Sequence, residues 1–143
     1  MAANCVNFFY QDIRFSFTKR NALKYAIAML FKKEGCMLRS LNVIFCTDDA
    51  LLVINRDFLN HDYYTDIITF PINKDKSGLE AELYISIDRV KENAKEGKVS
   101  FKEELHRVIF HGCLHLVGYN DKSSQQIKKM REREDHYLRL YLQ

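Results

Sequence analysis

The segment from Ser100 to Asp121 constrains this 143-residue chain more than any other. Leu105, Val108, Ile109, Gly112 and Leu116 recur at helical spacing and define one inward stripe. Ser100 followed by Glu103 is a capping box that opens the helix, and Gly118 supplies its stop. His111 and His115 stand four residues apart on that helix, which leaves their rings about 40° apart on one face. Gly118 can take a left-handed conformation and turn the chain back. Asp121, three residues later, can then return a carboxylate to the same pair. Two His and one carboxylate leave an open coordination position, the layout of a catalytic rather than a structural zinc site.

The remaining punctuation predicts the order strand, helix, strand, helix, two strands, three helices. The strands are Asn4 to Tyr10, Leu41 to Cys46, Asp66 to Phe70 ending at Pro71, and Leu83 to Ile87. A helix starts near Thr18, carries Leu23, Ala26, Ile27 and Leu30, and stops at Gly35. A second is capped by Asp48 or Asp49 and carries Leu51 to Phe58. A third runs from Asp88 to Gly97, and a last one from the Ser123/Gln126 capping box to about Tyr141. Asn73 to Gly78 reads as a polar surface loop. This order specifies an α+β fold: a small mixed sheet with about five helices packed on it, and the metal site at the end of a core helix. The length fits one domain over residues 1–143.

Composition narrows the function classes. The net charge of +3 allows polyanion binding only through a local patch. No apolar run approaches the length of a membrane span, and the N-terminus lacks the layout of a signal peptide. Cys5, Cys36, Cys46 and Cys113 are scattered without a C-x-x-C pair, which points to reduced thiols in a cytoplasmic protein.

The spacing H-x-x-x-H-x-x-G-x-x-D is that of the metzincin proteases with the last His replaced by Asp. Those enzymes carry a Glu directly after the first His as general base. Here Gly112 stands there, so a peptidase reading keeps the metal and loses its base. The segment His111 to Asp121 more closely resembles the motif H-G-x-L-H-x-x-G-Y-x-H of the YbeY family of metal-dependent endoribonucleases. Asn55 and Phe58 are similar to the L-N-x-x-[FY] helix of that family. Thr65 to Pro71 is similar to its T-[DN]-V-L-S-F-P strand, and Glu82 to Ser86 to the strand that usually starts with Gly-Asp. Met130 and Glu134 fall where its last helix carries M-x-x-x-E. Three positions depart from the pattern: Asp121 replaces the third ligand His, Leu59 replaces an Arg associated with RNA phosphate, and Ala81-Glu82 replaces Gly-Asp.

The resemblance implies a Zn²⁺-dependent, single-strand-specific endoribonuclease. It would act in rRNA maturation at the 3′ end of the small-subunit rRNA and in ribosome quality control. RNA and the small ribosomal subunit are then the partners, with no DNA and no membrane. His111, His115 and Asp121 are the expected ligands of one ion, Asp66 the residue that orients a ligand His, and Arg56 a candidate phosphate contact one turn before Leu59. His61, His106 and His136 are expected to be surface or satisfied polar residues, Glu104 a solvated helix charge and Cys113 a packing residue. Two other classes remain open: a metal-dependent peptidase or hydrolase, and a non-catalytic ribosome-associated factor in which zinc only staples the last two helices.

Overall fold

The computed structural model describes residues 5–142. Its elements are β1 (Val6–Tyr10), α1 (Arg20–Lys33), β2 (Leu38–Cys46), α2 (Asp48–Leu59), β3 (Ile67–Asp75), β4 (Gly78–Ser86), α3 (Ile87–Gly97), α4 (Phe101–Leu116) and α5 (Ser124–Tyr141). The sheet order is β1-β2-β4-β3, with β1, β2 and β4 parallel and β3 antiparallel to β4. A mixed sheet with five helices is the α+β arrangement the sequence predicts. No helix among the described residues is long and apolar enough to cross a membrane.

Side-chain alternation explains the two layers. Leu79, Ala81, Leu83 and Ile85 of β4 are buried together with Leu41, Val43 and Phe45 of β2; α1 and α4 pack against this face, and α5 packs on those two helices. The opposite face is covered in part by α2, where Leu51 meets Cys46 and Ile68 in a second, smaller cluster. The larger cluster holds Leu105, Val108, Ile109 and Cys113 of α4, so α4 is a core helix and its His-bearing edge lies at the border of that core.

Several boundaries differ from the sequence expectation. Asn4 lies outside the described residues, and β1 begins at Val6. Strand β3 does not end at Pro71 but continues to Asp75, with a register shift between Pro71 and Asn73. An edge strand tolerates proline, because its missing N–H can face solvent beside a bulge. The expected loop at Asn73 to Gly78 is therefore mostly strand, closed by a tight turn in which the Asp75 carboxylate accepts from Ser77 N at 2.8 Å and Ser77 Oγ at 2.6 Å. Thr47, not Asp48 or Asp49, caps α2, its Oγ1 accepting from Ala50 N at 3.1 Å. Asp48 instead accepts from Ser86 Oγ (2.7 Å) and Arg89 (2.9 Å), tying α2 to the end of β4 and to α3.

Candidate metal centre

The site is built on α4, and the closeness of α4 to the sheet depends on Gly112. A Cβ there would lie 2.5 Å from Ile67 Cδ1 and 3.1 Å from Leu83 Cδ2. The helix thus sits against β3 and β4 at the residue between its two histidines. It ends in a Schellman motif: Tyr119 N donates to Leu114 O at 3.0 Å and Gly118 N to His115 O at 3.1 Å, with Gly118 at φ +112°. This turn carries the carbonyl of Tyr119 to within 2.9 Å of His115 Nδ1.

A carbonyl can only accept, so His115 Nδ1 carries the proton and Nε2 is left as the free lone pair. On the other ring, His111 Nδ1 lies 2.6 Å from Glu134 Oε2 of α5. Both rings therefore turn Nε2 toward one point. The two Nε2 atoms are 3.0 Å apart, and Asp121 Oδ2 lies 3.2 Å from that of His115 and 3.4 Å from that of His111. Donors bound to a tetrahedral zinc at about 2.0–2.1 Å are separated by about 3.3–3.4 Å. The observed triangle matches one face of such a tetrahedron. Two imidazole nitrogens and a carboxylate oxygen this close together can hold a cation between them. The residues present thus fit a metal ion, as the spacing of His111, His115 and Asp121 predicts.

The second layer is more acidic than the sequence suggested. Glu134 is buried, and Arg107 on α4 donates to it at 3.0 Å and to Asp135 at 2.7 Å. Burial alone would lower the pKa of His111, but the hydrogen bond and charge of Glu134, with Asp66 and Asp121, hold it above the ordinary histidine value. Burial pushes the Asp66 carboxyl up, against the opposing pull of His111. Glu104 is raised by burial and by the Asp66 charge.

Two hollows meet at the ligands. One, of about 450 Å³, lies between Asn55, Leu59, His61, Tyr63 and the start of β3. The other, of about 830 Å³, lies between α4 and α5 and includes Glu104, Arg107, Lys128 and Arg131. Asp66, His111 and Asp121 line both, which makes the ligand cluster the midpoint of one continuous cleft.

The chain's other singled-out residues fall as follows. Asp66 accepts from Asn93 Nδ2 at 3.3 Å and acts on His111 through charge, while the rings of His111 and His115 are oriented by Glu134 and the Tyr119 carbonyl. Arg56 is exposed, its Nε donates to Asp62, and its side chain is not among those lining either hollow. His106 is a satisfied buried histidine, 2.7 Å from Lys102 O, and Cys113 is wholly buried in the core. Glu104 is a half-buried wall of the cleft rather than a solvated charge. Glu134 is the orienting residue that spacing missed. Met130, Glu134, Tyr137 and Leu138 form the buried stripe of α5, so the available signal was a carboxylate sitting in an apolar stripe.

The family model described as Endoribonuclease YbeY matches residues 7–141. The chain belongs to the YbeY family. The YbeY protein of Cytophaga hutchinsonii is 45% identical over 140 residues, covering 98% of this chain and 98% of that one. That of Flavobacterium psychrophilum is 47% identical over 110 residues, 77% of this chain and 75% of its own. The solution structure of TM1509 from Thermotoga maritima matches with a TM-score of 0.60 at 27% identity, over 95% of this chain and 91% of that one.

Proposed function

We propose that this chain is a Zn²⁺-dependent endoribonuclease whose ion is held by His111, His115 and Asp121. The observation that carries the reading is the 3.0–3.4 Å triangle of His111 Nε2, His115 Nε2 and Asp121 Oδ2, with each Nδ1 already engaged. A nitrogen, nitrogen, oxygen donor set with an open side suits zinc, and three protein ligands leave a position for substrate or water. RNA as substrate is supported by membership of a family described as endoribonucleases.

When bound, the ion supplies Lewis acidity at a phosphoryl oxygen and favours the deprotonated state of a nearby water. The chain's own residues do the positioning. Glu134 holds the proton on His111 Nδ1 and the Tyr119 carbonyl holds it on His115 Nδ1, so both rings are locked in the tautomer that presents Nε2. Asp66 and Glu104, both with raised pKa, stand in the wall of the cleft. Lys128 and Arg131 line the α5 side of the hollow, interleaved with Glu132, Glu134 and Asp135. The resemblance supports the finer assignment: single-stranded RNA at the 3′ end of the small-subunit rRNA, and ribosome quality control in the cytoplasm.

The peptidase reading is disfavoured by Gly112, which stands where a base would be needed and is pressed against Ile67 and Leu83. The test is cleavage of single-stranded RNA and of peptide by metal-loaded protein. Metal-dependent RNA cleavage without peptide cleavage is expected. Peptide cleavage alone overturns the assignment. Zinc binding with neither activity favours the stapling role.

A further inference from the structure

The segment after α2 carries aromatic side chains that the fold does not need for its core. Tyr63 is 55% exposed yet lines the cleft that contains His111, His115 and Asp121. Its ring is not free to wander. It stacks on His61 with centroids 5.1 Å apart and planes within 19°, and its hydroxyl lies 2.9 Å from His61 Nδ1.

The backbone beneath the pair is pinned as well. Asn55 is buried in α2. Its backbone carbonyl accepts from His61 N at 3.0 Å and its side-chain Nδ2 donates to Tyr63 O at 2.9 Å. Between these two anchors Asp62 is held by Arg56. Three consecutive residues are thus fixed, and the turn that launches them is set by Asn60 in the left-handed region at φ 55°. Neighbouring Tyr64 is engaged elsewhere: its hydroxyl donates to Asp49 at 3.3 Å, and the Arg89 guanidinium sits over its ring at 5.6 Å.

A surface aromatic pair stacked ring on ring, over backbone pinned by Asn55, is a costly arrangement unless something lies on it. Every nucleobase has a π-face that stacks on such a ring, regardless of sequence. Only an unpaired strand can splay a base out to reach it. Leu59 beside it adds apolar wall.

We propose that the His61–Tyr63 pair is a nucleobase-stacking subsite that holds one unpaired base of the RNA strand beside the metal ligands. The subsite rests on the endoribonuclease reading above and makes the preference for single strands a property of this segment. Arg56 then serves it as a positioning residue through Asp62.

The experiment uses the full-length, metal-loaded protein and a single-stranded RNA hexanucleotide carrying one 2-aminopurine, whose fluorescence is quenched when the base stacks. Affinity is read by anisotropy of a labelled copy, and a matched hexanucleotide with an abasic ribose at the same position is run beside it. Wild type is expected to quench the probe. Tyr63→Phe keeps the quench, because the ring remains. Tyr63→Ala loses the quench and binds about tenfold more weakly, the effect expected of one lost base–aromatic stack. The abasic strand shows the same loss in wild type and no further loss in Tyr63→Ala. Tyr63→Ala that quenches and binds like wild type overturns the subsite and leaves the endoribonuclease reading standing. Wild-type protein that neither binds nor cleaves any single-stranded RNA overturns both.

Discussion

Glu134 Oε2 on α5 lies 2.6 Å from His111 Nδ1 on α4, so the last helix of the chain sets the tautomer of a candidate ligand on the one before it. Arg107 fixes the same carboxylate from the other side at 3.0 Å. Carboxylate, imidazole and ion would form the arrangement that raises ligand basicity and locks ring orientation.

Glu134→Gln keeps an acceptor near His111 but removes its charge. Zinc affinity is expected to fall about 10–100-fold, measured by competition with a chromophoric chelator. Far-ultraviolet circular dichroism should be unchanged, because Arg107 keeps Asp135 at 2.7 Å. An unchanged affinity would mean that Glu134 does not act on the ligand.

The helical stripe, the Gly118 stop and the convergence of His111, His115 and Asp121 were legible because each depends on local spacing: 3.6 residues per turn, one glycine, and a short return to Asp121. Glu134 and Glu104 were not legible as site residues, because their role follows from the packing of α5 and the sheet on α4. The His61–Tyr63 pair was invisible for the same reason. Its significance comes from Asn55, which anchors a segment six to eight residues downstream. Pro71 misled because a strand edge, where proline is tolerated, cannot be told from a centre before the sheet order is known.

Glu34 at the end of α1 accepts from Tyr137 at 2.5 Å, Arg133 at 2.6 Å and Tyr119 at 2.9 Å. Burial raises its pKa, but these three bonds outweigh it and hold the group below its ordinary value of 4.5. Its stabilising contribution is present above about that value and is lost as pH falls through the depressed folded pKa. Glu34→Gln should cost about 1.5–3 kcal/mol near neutrality and progressively less in acid, read by urea unfolding across pH. A cost that does not change with pH would show that the ionised form is not what the cluster binds.

Gly112→Ala presses a methyl group against Ile67 Cδ1 and Leu83 Cδ2. The overpacking of about 1–3 kcal/mol is offset in part by about 1 kcal/mol of helix propensity. Ile67→Val removes the closest atom, so the double variant should be more stable than the sum of the two single changes predicts. Strict additivity in thermal denaturation would place α4 farther from β3 than described.

His115→Ala removes one ligand but leaves Leu105, Val108 and Ile109 in the core. A folded protein with low zinc occupancy and a small drop in Tm is expected, because three-ligand binding at a cleft is not what holds this core together. Loss of the folded state on this change, reproduced by chelation of wild type, would favour the stapling role instead.

The central claim is tested most directly by titrating zinc back into metal-stripped protein while following cleavage of a single-stranded RNA. Activity should be absent without metal and rise to a plateau at one equivalent per chain, with no recovery in His115→Ala at the same zinc concentrations. Cleavage at the full rate by the metal-free protein, or by the zinc-free His115→Ala variant, would contradict it.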